Sequence, residues 1–301
     1  MRKIVTLLML VMLLSLALGA VFAQDDNMNS DEATMENVHL LSAYFGLDNS
    51  LPRLINRVCR RGAGLDGMPV IFSHPVDQGT LEPEDFAVIT ESGVINTPRC
   101  ATLAPATDVG EMRTVLLIGE FGNADDDPPV QVEIVDEILS GSGDPGAPAA
   151  PDGEAALNFM GSTVDVTPLS AGPFLVDAGI VPEADWVLDV EGQQQQGSGC
   201  PSDGLVQIVR VKWAGGVTKP GNEEVDDLER EQYQVTLIDA DGEEIVVTPF
   251  ALADLDDGDN NHMLCLDIEG EPVSVTFAEG YLTDPNEDTL NPETTVEIKN
   301  N

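Results

Sequence analysis

Downstream of residue 68 the apolar residues come in short runs, several alternating with polar ones, and Gly, Pro, Asn or Asp interrupts each run. A period of two bounded by turn residues predicts β-strands. The pattern places them over 70–73, 86–90, 114–118 and 130–135. It adds 164–167 and 186–190, then 205–213, 232–238, 244–248, 263–267, 273–277 and 294–298. Their spacing suits sandwiches of antiparallel strands better than alternating βαβ units. Upstream the period lengthens. Residues 36–45 read as a short helix with Val38, Leu41 and Tyr44 or Phe45 on one side, stopped by Gly46. Residues 51–61 read as a second, with Leu54, Ile55 and Val58 inward. The stretch 141–153 (GSGDPGAPAAPDG) predicts a flexible linker or long loop, and 193–199 (QQQQGSG) a second loop.

The two β-rich halves resemble each other. In one, a Phe86-led strand meets a polar turn ending in Gly93 and runs on to Thr97-Pro98. In the other, a Tyr233-led strand meets a turn ending in Gly242 and runs on to Thr248-Pro249. Each is followed by an acidic loop and an apolar strand, 114–118 or 263–267. An internal duplication and convergent hairpin chemistry both account for this. The cysteines argue against duplication: Cys100 follows its proline by two residues, whereas Cys265 sits in the later strand.

At Pro69-Val70-Ile71-Phe72-Ser73-His74-Pro75-Val76-Asp77, with Thr80-Leu81 and Phe86-Ala87-Val88 after it, the chain resembles bacterial Ig-like modules of surface-layer and adhesin proteins. The resemblance covers about residues 69–88. It implies a β-sandwich of the Ig kind with a structural or binding role, and it carries over no catalytic residues. The second half lacks the Phe-Ser-x-Pro-Val-Asp element and joins the resemblance only through the repeat. The expected fold class is therefore mainly β: tandem Ig-like β-sandwiches with a short helical N-terminal segment. The expected organisation is a signal peptide (1–23) and an acidic, partly helical segment (24–50). A first sandwich (51–140), a linker with bridging strands (141–199) and a second sandwich (200–301) follow.

The signal-peptide expectation rests on Arg2 and Lys3, the apolar run over 4–18, and small residues ending at Val21-Phe22-Ala23. An uncleaved anchor is the alternative, although the run is short for a span. Secretion, or residence in the periplasm or at the cell surface, is the expected localisation. Lys+Arg 13 against Asp+Glu 54 gives a net charge of -41. Removing 1–23 takes away two basic residues and no acidic one, which deepens it to -43. Such a chain is a poor partner for nucleic acid or anionic membrane surfaces, both of which need clustered cations. The acidity fits a high-salt habitat or cation binding equally well. One basic cluster stands out: Arg53, Arg57, Arg60 and Arg61. It is either a docking patch for an acidic partner or a solvated face paired with the protein's own carboxylates.

Four cysteines, Cys59, Cys100, Cys200 and Cys265, predict disulfides in an exported chain, with no CxxC pair for zinc or redox work. Three pairings are open. Neighbour pairing would staple each half separately.

Catalytic motifs are scarce. Gly62-Ala63-Gly64-Leu65-Asp66-Gly67 matches GxGxxG but precedes a strand instead of a helix, the wrong order for a dinucleotide site. There is no GxSxG elbow and no HExxH. Of His39, His74 and His262, the last is the best placed for chemistry, beside an Asp-rich loop. No catalytic residue is assigned, and a non-enzymatic protein is expected. That loop is the one dense constellation: Asp254, Asp256, Asp257, Asp259 and Asn261 supply the hard oxygens that calcium prefers. It departs from the EF-hand pattern, since Gly258 comes one position early and Cys265 stands where a bidentate Glu belongs. A solvated acidic turn explains the same residues. Asp239, Asp241 and Asp267 are candidate helpers, and 125–128 and 284–288 are weaker versions. The expected function is an exported, non-catalytic β-sandwich protein binding an unidentified envelope or extracellular ligand, with calcium as the candidate cofactor. Two rivals remain: a carbohydrate-binding module, for which Trp186 and Trp213 are the candidate aromatics, and a carboxylate-dependent hydrolase, with or without His262.

Overall fold

The computed structural model describes residues 38–143, 155–189, 199–253, 258–287 and 289–299. The signal peptide and most of the acidic segment lie outside them, as do 144–154, 190–198 and Asp254, Asp256 and Asp257 of the acidic loop. The chain is mainly β. In the first half, β1 (Leu40–Tyr44), β2 (Asp66–Phe72), β3 (Phe86–Thr90), β4 (Ile95–Asn96), β5 (Cys100–Thr102), β6 (Thr114–Gly119), β7 (Pro129–Ile134) and β8 (Thr163–Thr167) form one curled sheet. Its order is β4-β3-β7-β8-β1-β2-β6-β5. In the second half the strands are β9 (Leu175–Ile180), β10 (Leu188–Asp189), β11 (Cys200–Pro201), β12 (Gln207–Trp213), β13 (Tyr233–Ile238), β14 (Glu244–Val247), β15 (Ala251–Ala253), β16 (Asn261–Leu266), β17 (Glu271–Phe277) and β18 (Thr294–Lys299). Apart from the small β10-β11 pair they form a second sheet, ordered β14-β13-β17-β18-β9-β12-β16-β15.

Substituting β9 for β1, β12 for β2, and so on, turns the first order into the second, strand for strand. Even the parallel closures match: β1 runs beside β8 through Ala43–Val166, and β18 beside β9 through Ile298–Ala178. Each sheet curls around its own apolar core. The first core packs Phe72 edge-on against Phe86 and Phe159. The second packs Trp213 and Tyr233 against Phe277. Burial tracks the pattern. β13 and β18 alternate as expected for strands with one wet face, whereas β12 and β16 are buried almost throughout.

Several expectations fail. The helix over 36–45 is strand β1 where it is described, because β2 and β8 flank it and their ladders outweigh local helical spacing. The second helix reduces to a 3-10 turn, Arg53–Arg57. Leu54 and Val58, expected inward, are 62% and 51% exposed, and only Ile55 of that trio is half-buried. Residues 141–199 do more than link: β8 belongs to the first sheet, and β9 runs between β18 and β12 in the second.

The disulfides are Cys59–Cys100 and Cys200–Cys265, the neighbour pairing, one per half. Their placement removes the objection to the repeat. Cys59 and Cys200 occupy matching connections, ahead of β2 and β12. Cys100 lies on edge strand β5 opposite Ile118 of β6, while Cys265 lies on β16 opposite Ala251 of β15. The second staple has simply moved one strand inward.

Candidate functional site

The acidic loop enters the described structure at Gly258. Asp259 accepts hydrogen bonds from the Asn261 backbone N–H (2.7 Å) and from Asn261 Nδ2 (2.8 Å). Asn260 is locked to Trp213 in both directions: its Nδ2 donates to the Trp213 carbonyl (2.6 Å), and its carbonyl accepts from the Trp213 N–H (2.8 Å). The C-terminal end of the loop is thus pinned to β12. Asp239, a candidate helper, is occupied in its own hairpin, accepting from the N–H groups of Asp241 and Glu243 (2.9 Å each). Asp284 is buried and accepts from the Tyr44 hydroxyl (2.6 Å). Asp127 accepts from Thr90 and Ser92. Among the described residues, no three His, Cys, Asp or Glu side chains come together as a metal site.

His262 points away from this chemistry. On β16 it sits opposite Val211, facing the second core. Trp213 Nε1 donates to Tyr233 Oη (2.9 Å), and Tyr233 Oη shares a hydrogen bond with His262 Nδ1 (2.8 Å). Burial lowers the His262 pKa to about 4 and raises that of Tyr233. His262 is thus a buried residue among core side chains. Trp186 and Trp213 share no exposed face, because Trp213 is fully buried; Trp186 is half-buried and donates its Nε1–H to the Val181 carbonyl.

The low histidine pKa has a consequence for stability. The folded value lies below the unfolded one near 6.5, so the unfolded chain binds the extra proton first. Stability contributed by the neutral ring is full above pH 6.5 and is lost as pH falls to about 4, roughly 3 kcal/mol in all. Urea unfolding of His262→Gln across that window should show an acid loss smaller by about that amount. Equal slopes for the two proteins would refute the assignment.

What sequence reasoning missed lies on the other face of β12. Val209, Val211 and Trp213 face the core, so alternation sends Arg210 and Lys212 outward, and both are nonetheless buried. The first half covers them. Asp177 on β9 lies opposite Lys212 and receives its Nζ at 3.3 Å, Arg113 Nη1 at 3.5 Å and Lys299 Nζ at 4.0 Å. Arg210 Nε stands 3.9 Å from Glu111 Oε1. Glu111 and Arg113 come from the loop entering β6, so these ion pairs cross between halves. Burial alone would raise the Asp177 carboxyl, but Lys212, Arg113 and Lys299 outweigh it and hold it below the ordinary carboxylate value. Burial, with Arg113 and Arg210 nearby, lowers the Lys212 ammonium to about 8 against the pull of Asp177. A signal was present: two cations inside the apolar run Ile208-Val209-Arg210-Val211-Lys212-Trp213, in a chain with few cations to spare.

Beside this contact the halves leave a cleft of about 250 Å³. Tyr44, Leu51, Ile55 and Pro69 line it from the first half, and Gly215 and Asn260 from the second. Its lining is chiefly apolar. Gly215 admits the close approach: a Cβ there would stand 3.2 Å from both the Pro69 ring and the Tyr44 ring.

No protein-family model matches the chain, and no curated protein does. Among solved structures, surface layer protein SbsC, domains 1-6, matches 88% of this chain and 26% of its own length, at 12% identity and a TM-score of 0.26. The N-terminal part of the bacterial S-layer protein SbsC matches 88% and 44%, at 11% identity and a TM-score of 0.25. The chain spans less than half the length of these structures, and at such TM-scores the likeness carries no argument. Among the described residues, no helix is long and apolar enough to cross a membrane.

Proposed function

We propose that the chain is an exported, non-catalytic protein of two Ig-like β-sandwiches with a structural or binding role in the cell envelope or extracellular space. The observation that carries it is the pair of identically ordered sheets, each with its own core and disulfide. In support of the Ig-like reading, the first sheet's runs β1-β2-β6-β5 and β4-β3-β7-β8 have the strand orders of an A-B-E-D and a C′-C-F-G layer, joined here through β8 and β1. Two intrachain disulfides suit an oxidising compartment. The ion pairs between the halves favour a stiff tandem unit, which serves a scaffold or an adhesive spacer better than an enzyme needing a mobile cleft. Calcium belongs to the proposal as the ion that orders the acidic loop: Asp254, Asp256, Asp257 and Asp259 would supply carboxylates, with Asn261 assisting through its hold on Asp259.

Fractionation of the producing cells with thiol trapping tests the location. The chain should appear in the envelope or medium with no alkylatable cysteine, and a cytosolic pool with free thiols would overturn export. Melting of the purified chain tests calcium. At low ionic strength, millimolar calcium should raise Tm by several degrees over chelator, as ligand linkage requires, and an unchanged Tm would remove the ion from the proposal.

A further inference from the structure

The basic residues within the described structure divide into two groups. Arg113, Arg210, Lys212, Lys219, Arg230 and Lys299 each lie in an ion pair with one of the chain's own carboxylates. Arg53, Arg57, Arg60, Arg61 and Arg99 are all exposed, and among the described residues none of these five pairs with a carboxylate. In a chain with Asp+Glu 54, a merely solvated basic face should find partners at home. Among the described residues this one finds none.

The five arginines are gathered by construction. Arg53 and Arg57 begin and end a 3-10 turn, which at about 2 Å per residue is only ~8 Å long. Arg60 and Arg99 each adjoin a half of the Cys59–Cys100 disulfide, whose Cα atoms are 5.9 Å apart, so the bond brings Arg99 to the segment from a distant part of the chain. Arg61 follows in the left-handed conformation (φ 64°), its turn closed by the Gly62 N–H donating to the Cys59 carbonyl. Between the arginines, Leu54 and Val58 stand more than half exposed. The other side of the same turn, Leu51, Pro52 and Ile55, lines the cleft.

We propose that this patch docks an acidic protein segment carrying apolar side chains. Guanidinium forks bind carboxylates in two-point contacts that a lysine cannot make. Leu54, Val58 and the mouth of the cleft take the apolar side chains, a need that a sulfated or carboxylated glycan would not have. A second copy of this chain is the poorer occupant, because two bodies of charge -41 repel each other. The same global charge repels any acidic partner at long range while the patch attracts it at short range. Binding should therefore peak at intermediate salt: screening extends about 30 Å at 0.01 M, about 8 Å at 0.15 M and about 3 Å at 1 M. The inference is independent of where the protein resides and of calcium.

The test is fluorescence polarisation of a labelled peptide alternating Glu and Leu, with the full disulfide-bonded chain, at those three salt concentrations. The intermediate salt should bind most tightly, and Arg57→Glu/Arg60→Glu should weaken binding there by about tenfold or more. The exposed side chains make an unchanged Tm the expected control. Leu54→Asp should also weaken the peptide. Equal affinity for wild type and the double reversal would overturn the proposal. Heparin competing as well for Leu54→Asp as for wild type would transfer the patch to glycans. Sedimentation showing self-association that the double reversal abolishes would transfer it to a second copy.

Discussion

Asp177→Leu is expected to lose about 3–5 kcal/mol of folding stability, because it takes the shared carboxylate away from Lys212 and Arg113 while Lys212 stays buried. Lys299 adds little, being half exposed at 4.0 Å. The reciprocal change, Lys212→Met, should cost under about 1 kcal/mol: it removes a charge whose burial is itself unfavourable, keeps the methylene stem, and leaves Asp177 with Arg113. Urea unfolding at neutral pH separates the two, and comparable losses would show that the contact is held by packing instead of charge. The pH dependence has a definite sign. Asp177 titrates lower when folded, so its contribution is complete above the unfolded value of 3.8 and disappears as pH falls through the lower folded value. Lys212 also titrates lower when folded, about 8 against 10.5. Between those values the unfolded chain binds more protons, so stability should rise with pH, and Lys212→Met should abolish that rise.

Removing the second staple, by Cys200→Ala with Cys265→Ala, should cost about 4 kcal/mol. It closes 65 residues, and loop closure of that size restricts the unfolded chain by roughly that amount at 25 °C. For a protein of this size the loss corresponds to a fall in Tm of about 10 °C. Cys59→Ala with Cys100→Ala closes 41 residues and should cost slightly less. The second bond also sits in a small apolar cluster with Val181, Ile208 and Met263, so its removal leaves a void in addition to the entropy. Calorimetry of both variants gives the comparison. A fall of only a degree or two for the second pair would mean that β11 and β16 are held together without it.

Strand positions were legible where alternation is strong. The expected 232–238 is β13, Tyr233–Ile238, with one face apolar, and the expected 86–90 is β3, Phe86–Thr90, an apolar run buried on both faces. The two strands that close the halves were not. β1 carries helical spacing, and β9, with Asp177, Ala178 and Gly179 at its centre, has little strand character of its own. Both are held by one antiparallel and one parallel neighbour distant in sequence. Of the candidate site, the Asp-rich loop and the arginine cluster could be named from composition. Neither the inward turn of His262 nor the arrival of Arg99 beside Arg60 could be, since each depends on a pairing that only the folded chain makes.

The sequence alone determined the β class, the strand spacing, the two-fold pattern, the acidic excess and the scarcity of catalytic motifs. These are local properties, written in alternation, turn residues and counts. Only the tertiary structure decided which cations are occupied and which are not. A charged side chain on the outer face of a strand reads as solvated until a second body covers it. Here the first half covers Arg210 and Lys212 and supplies Glu111 and Arg113 against them, while Arg53, Arg57, Arg60, Arg61 and Arg99 remain on the surface. The balance of desolvation and pairing is set by that docking, and no pattern along one strand contains it.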